Sequence, residues 1–145
     1  MHTYLTRSRF CLVPAGEGFG CRLAELMITG CVPVIIQPGV IQPFEDILPY
    51  SEFSLRYAHA DIPTLHEKLA AISPARHGAM RAAGARHAAA FNWREDGSAY
   101  EHTRYTLCLR AGVPCEHLRP AALRPVRAAS ARRHIPRAAR AKSQP

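Results

Sequence analysis

Acidic residues give out before the chain does. After Glu116 there are none, while Arg119, Arg124, Arg127, Arg132, Arg133, Arg137, Arg140 and Lys142 follow. The formal charge of +8 therefore belongs to this end, and residues 1–116 hold 11 basic against 11 acidic groups. A balanced body gives no reason to infer a polyanionic partner from net charge. Residues 111–145 also lack Phe, Tyr and Trp, so they offer no ring for stacking on a base, and no nucleic-acid partner is expected. Gripping a polyanion by charge neutralisation stays open for this tail. Long apolar runs are missing as well; none approaches the roughly 20 residues that cross a bilayer. The start, MHTYLTRSRF, has no charged-then-apolar layout of a secretory signal, so an anchor of any parent protein is expected outside this sequence. Cys11, Cys21, Cys31, Cys108 and Cys115 form no CxxC pair or other zinc spacing. Cys11 and Cys31 fall in apolar runs and read as small hydrophobes. Cys108 and Cys115 are spaced to close a short loop in an oxidising lumen.

What is present suits one α/β domain with a core of its own, since 48% of residues are apolar and interleaved with polar ones. Phe10–Val13 and Val32–Ile36 are continuous apolar runs, as in strands of a parallel sheet covered on both faces. Between them Leu23, Leu26 and Met27 recur at helical spacing over Cys21–Thr29, with Gly30 as the C-terminal cap. Strand, helix and strand in this order predict a right-handed βαβ crossover. Gln37–Pro49 reads as a loop, Phe53–Tyr57 as a third strand, and Asp61 as the cap of a helix with Leu65, Leu69 and Ile72 buried. Further helices are expected over Pro74–Phe91, broken from the last by Ser73-Pro74, and over Ala99–Leu109. The Ala-, Arg- and Pro-rich stretch 111–145 has too few large apolar residues to offset its chain entropy and is expected to be disordered, leaving 1–110 as the folded unit.

The chemistry concentrates between the first two strands. Gly16, Gly18 and Gly20 alternate through AGEGFG and lead into a helix. Glycine lets a ligand approach the backbone closely, and a helix start presents unpaired N–H groups and partial positive charge to an anion. Arg22, in the first turn, can give two parallel hydrogen bonds to phosphate oxygens. Glu25 lies three residues on and shares that face; a carboxylate there can accept both hydroxyls of a ribose. The same pattern, taken alone, also fits a plain tight turn beside a solvated Arg–Glu pair.

Several motifs then occur in one order: FCLVP, the glycine-rich loop, Arg22-Leu23-x-Glu25, Gly30-Cys31-Val32-Pro33-Val34-Ile35, Pro43-Phe44-Glu45-Asp46, and FSLRY followed by Asp61-Ile62-Pro63. Together, over about Tyr4 to Tyr105, they resemble the exostosin family of glycosyltransferases (family 47), the algal or plant branch in particular. The resemblance implies a Rossmann-like parallel sheet forming the C-terminal half of a GT-B enzyme, followed by C-terminal helices and the basic tail. It implies diphosphate binding by Gly16, Gly18, Gly20 and Arg22, ribose binding by Glu25, and Phe44, Glu45 and Asp46 near the donor sugar. Many members carry Ser two residues before the arginine, where this chain has Gly20. The implied reaction is inverting transfer from a nucleoside diphosphate-sugar, UDP-linked, to a glycan or polysaccharide acceptor in the Golgi lumen. Its general base would come from an N-terminal half or partner chain. No cofactor or metal is implied, and the sequence contains no Asp-x-Asp. A non-catalytic nucleotide- or phosphate-binding module, or a polyanion binder acting through the tail, are the competing functions.

Elsewhere, His59-x-Asp61 has too few ligands for zinc and reads as solvated. His66, His77 and His87 read as surface groups on helices. Phe91 and Trp93 are expected to anchor the last helices against the sheet.

Overall fold

A parallel crossover organises the molecule. The computed structural model describes residues 2–16 and 21–124. Helix α1 (His2–Arg7) precedes strand β1 (Phe10–Pro14), helix α2 (Cys21–Thr29) and strand β2 (Val32–Ile36). A long loop leads to α3 (Tyr50–Phe53) and β3 (Leu55–Arg56), then a 3-10 turn at His59–Thr64 enters α4 (Leu65–Ala70). Helix α5 (Pro74–His87) continues as a 3-10 turn (Ala88–Phe91), and α6 (Ala99–Arg110) follows. The strands pair in the order β1-β2-β3, all parallel, with Phe10 opposite Val32 and Val34 opposite Leu55.

Side-chain alternation splits the core in two. Cys11, Val13 and Ile35 face Leu23, Leu26 and Met27 of α2 together with Phe53 and Phe91. Val32, Val34, Ile36 and Leu55 face Leu65, Ile72 and Met80 on the other side. Strand β2 is buried along its whole length, as its unbroken apolar run predicts. Strand β1 is not: Phe10 meets the α4–α5 layer through His77, but Leu12 is 44% exposed and Pro14 is exposed. Leu23 and Leu26 are fully buried, each contributing about 1.5–3 kcal/mol by leaving water. Gly30 ends α2 at φ 76°, with its N–H and that of Cys31 both donating to the Leu26 carbonyl. A left-handed residue at that point favours glycine.

Several expectations are corrected, among them Asp61, which lies within the 3-10 turn at His59–Thr64 and does not cap α4. Cys11 and Cys31 are not free hydrophobes but a disulfide, since the crossover brings the end of α2 beside β1, with Cα atoms 6.0 Å apart. Closing a 20-residue separation in this way stabilises the fold by about 3 kcal/mol. The third strand is only Leu55–Arg56; Phe53 instead closes α3 and is fully buried. Trp93 is 69% exposed and anchors nothing, whereas Phe91 is buried in the core as expected. His77 and His87 are half-buried: His77 bonds the Arg9 carbonyl at 2.8 Å and meets the Phe10 ring, and His87 meets the Phe53 ring.

A second disulfide joins Cys108, in the last turn of α6, to Cys115 beyond its end. The chain expected to lose order from residue 111 is placed as far as Arg124, through short 3-10 turns at Glu116–Leu118 and Ala121–Leu123. Arg119 donates to the Tyr105 hydroxyl at 3.1 Å. The remaining basic tail lies outside the described residues. Among the described residues no helix is long and apolar enough to cross a membrane.

Candidate functional site

A cleft of about 580 Å³ opens beyond the carboxyl ends of β1 and β2. Its floor is Ala15 and Gly16, which follow β1, and Gln37, which follows β2. Among the described residues, a Cβ added at Gly16 would meet nothing within 4 Å. The backbone there lies open to a ligand, and φ is not positive, so chain geometry does not require glycine. Gly18 and Gly20 lie outside the described residues.

One wall is the loop from Val40 to Phe44, and a chain of hydrogen bonds fixes it. Gln37 Nε2 donates to the Pro14 carbonyl at 2.8 Å, and Gln42 Nε2 donates to Gln37 Oε1 at 2.8 Å. The Gln42 backbone N–H donates to Glu45 Oε2 at 2.7 Å, while Arg56 Nη2 donates to Glu45 Oε1 at 2.6 Å. Tyr50 donates its hydroxyl to the Pro43 carbonyl at 2.6 Å. Burial, seconded by the Glu45 carboxylate, pushes the Tyr50 phenol well above its ordinary range, which keeps this donor protonated. Phe44 takes φ 60°, a left-handed conformation costing a bulky residue about 1–3 kcal/mol. Its ring is held edge-on to Phe91 at 5.7 Å and tilted against His102 at 5.6 Å.

The other wall is α6, through Thr103, Thr106, Leu107 and Arg110. Thr103 returns its hydroxyl to the Ala99 carbonyl at 2.8 Å. Thr106, 7% exposed, has a buried hydroxyl with no partner, the only such side-chain atom among the described residues. Arg110 Nε donates to Asp46 Oδ2 at 3.2 Å and so joins α6 to the loop.

The sequence-predicted residues divide around this cleft. Gly16 and Phe44 line it; Glu45 and Asp46 do not. Both Glu45 oxygens are engaged within the protein, and Asp46 is paired with Arg110. Arg22 is exposed and reaches back to the Leu12 carbonyl at 3.3 Å. That contact is longer than an ordinary N–H···O bond, so leaving it costs little. Glu25 is half-buried on the same helix; neither side chain lines the cleft. Asp61, of the His59-x-Asp61 pair, bonds Lys68 and accepts the Ala58 N–H at 2.8 Å. The Lys68 bond first, then the Ala58 one, lowers its carboxyl below the usual range, a structural use of the pair. Among the described residues no group of three or more His, Cys, Asp or Glu could hold a metal ion.

Gln37, Gln42, Thr103, Thr106 and Arg110 were not foreseen from sequence. The two glutamines carry a weak signal, because they follow the carboxyl end of a predicted parallel strand. The α6 residues carry none, since only the fold brings a helix sixty residues away onto this edge.

Open parallel α/β sheets bind their ligands in crevices outside the carboxyl ends of the strands, and this chain has such a crevice in that position. Residues 1–72 match the Exostosin GT47 domain, and the chain belongs to that family. It is 38% identical over 88 residues to a probable glycosyltransferase of Arabidopsis thaliana, covering 53% of this chain and 17% of that one. A probable glucuronosyltransferase of Oryza sativa subsp. japonica is 39% identical over 69 residues, 47% of this chain and 16% of the relative. A probable beta-1,4-xylosyltransferase of Arabidopsis thaliana is 38% identical over 69 residues, 47% and 17%. The aligned stretch thus spans about a sixth of the length of these curated relatives.

Proposed function

We propose that this chain is the donor-binding part of a glycosyltransferase that moves a sugar from a nucleoside diphosphate-sugar, UDP-linked, to a hydroxyl of a glycan acceptor. The observation that carries it is the cleft at the carboxyl ends of β1 and β2, with Gly16 at its floor and no described residue against the space where its side chain would be. Membership of the exostosin family supplies the class of reaction. Gly16, Gly18, Gly20 and the first amides of α2 would bind the diphosphate, with Arg22 swinging from the Leu12 carbonyl to add a bidentate contact. Glu25, on the same face, would accept the ribose hydroxyls.

The transfer is inverting. The acceptor oxygen bonds to the anomeric carbon from the face opposite the leaving group, the carbon–oxygen bond to the diphosphate breaks, and the acceptor proton passes to a general base. That base belongs to the N-terminal half of a two-domain GT-B enzyme. Arg22 and the helix amides offset the charge on the departing nucleoside diphosphate, with no metal required. Golgi-lumenal residence fits the two disulfides, Cys11–Cys31 and Cys108–Cys115, which a reducing cytosol would not sustain.

Calorimetric titration of the chain with UDP and with inorganic phosphate tests the site. Glu25→Ala should weaken UDP by about tenfold, the worth of a charged hydrogen bond, and leave phosphate unchanged. Arg22→Ala should weaken both. An equal loss of both ligands in Glu25→Ala would remove the ribose role.

A further inference from the structure

We propose that Trp93 and Tyr100 form a stacking platform for an uncharged pyranose chain, the acceptor glycan of the transfer. That ligand rests on the glycosyltransferase reading above, but the platform makes no use of the nucleotide assignment. Trp93 is the single tryptophan of the chain and is 69% exposed, and Tyr100 is 60% exposed. The fold brings the two together. The Ala99 N–H donates to the Asn92 carbonyl at 3.2 Å, so each ring belongs to the residue directly after this joint.

Trp93 is held in water by a tied loop. The Gly97 N–H donates to the Arg94 carbonyl at 2.9 Å and the Ser98 N–H to the Ala89 carbonyl at 2.8 Å. Asn92 Nδ2 donates to Asp96 Oδ1 at 2.9 Å, and Asn92 Oδ1 accepts the Arg94 N–H at 3.0 Å. A Cβ added at Gly97 would lie 1.9 Å from the Asn92 carbonyl oxygen, so the loop closes this tightly only with glycine there. A fixed indole in water forgoes the burial that makes tryptophan stabilising. Two such rings at one place make a patch, not a scattered surface residue. Tyr100 also opens a stripe along α6, since Tyr100, Thr103, Arg104 and Leu107 share one helix face. Thr103 and Leu107 line the cleft, and Leu107 is 62% exposed. A chain laid on the rings is thus directed along α6 toward the cleft. The Arg104 guanidinium lies 5.5 Å from the centroid of the Tyr100 ring, which leaves its N–H groups beside the ring for hydroxyls.

Chemistry selects the ligand. The carbon face of a pyranose is apolar and suits an aromatic ring, while its edge carries hydroxyls that both donate and accept. Arg94, Glu95, Asp96, Glu101 and Arg104 surround the rings with charges of both signs, a setting that does not favour a polyanion. Two rings offer at most about 500 Å² of contact, short of the roughly 800 Å² per partner of a stable protein interface. An uncharged glycan fits both limits.

Because the full chain has one tryptophan, its fluorescence reports on the platform directly. Titration with xylohexaose and with cellohexaose should shift the Trp93 emission to shorter wavelength and saturate for at least one of them. Calorimetry with that hexasaccharide should show no binding to Trp93→Ala. Trp93→Tyr, which keeps a ring, should stay within about threefold of the parent, and Tyr100→Ala should bind about three- to tenfold more weakly, the worth of one aromatic contact. Added salt should leave the affinity unchanged. UDP affinity and the urea midpoint should not move in any of these variants, because both rings are exposed. An emission that neither hexasaccharide moves overturns the proposal, as does Trp93→Ala binding as the parent does. Self-association of the chain that Trp93→Ala abolishes would overturn it too, making the patch a contact between copies. UDP titration of the same protein keeps the two readings apart. UDP bound without hexasaccharide removes the platform and leaves the donor reading standing; hexasaccharide bound without UDP does the reverse.

Discussion

The two walls of the cleft are held by different means. The loop wall, Val40 to Phe44, is tied at nearly every polar group: Gln42 to Gln37, Gln37 to Pro14, Glu45 to Gln42 and Arg56, and Tyr50 to Pro43. The α6 wall is tied to the loop by the exposed ion pair of Arg110 with Asp46 and by the His102 ring against Phe44, and keeps a buried hydroxyl unpaired. The loop lacks regular secondary structure, so side chains must satisfy the backbone groups that a helix would satisfy for itself. A helix needs no such help and can leave its facing side chains uncommitted. The loop wall is therefore the half fixed by side-chain hydrogen bonds, and the helix wall the half fixed by its own backbone.

The sharpest way to break this contrast is to untie the loop. Phe44→Ala removes the ring packed on Phe91 and His102 while the left-handed backbone still strains a non-glycine residue. It should cost about 2–3 kcal/mol in urea unfolding, toward the low end for Phe→Ala because the ring is half-buried. A loss under about 0.5 kcal/mol would mean the ring does not hold the loop. On the other wall the sign reverses. Thr106→Val should leave stability unchanged or raise it by up to about 1 kcal/mol, because it removes a desolvated hydroxyl without a partner. A clear loss of stability would show that the hydroxyl is bonded in the free protein. The smallest effect concerns the region behind α6. Burial first, and Arg86 next, lowers the His87 pKa below its ordinary value. The unfolded chain then holds the proton more readily than the folded one. His87's contribution is complete above about pH 6.5 and is lost as pH falls through that value toward the lowered one. Urea midpoints measured from pH 7.5 to 5 should fall, and His87→Gln should flatten the slope; an unchanged slope would remove His87 as its source.

Local pattern sufficed wherever a residue's role depends on its neighbours in sequence. The crossover, the Gly30 cap, the Ser73 side chain accepting the Arg76 N–H at the start of α5, and the span of α6 all follow from spacing and caps. Roles set by distant segments were not legible. Cys11 and Cys31 look like any two buried cysteines until the crossover brings them together. Phe53 fits a strand pattern, but its full burial under α5 favours the end of a helix. Trp93 carries no sign in its neighbours that it will face water. The site divides in the same way. Gly16 and Phe44 were legible and line the cleft, whereas Thr106 and Arg110 depend on where α6 lands.

The most direct test is a crystal of this chain soaked with UDP, read at Gly16 and the start of α2. The account predicts diphosphate density against Gly16 and the first amides of α2, the Arg22 guanidinium moved off the Leu12 carbonyl onto phosphate oxygens, and ribose beside Glu25. Diphosphate bound elsewhere, with Arg22 still on Leu12 and nothing against Gly16, would contradict it.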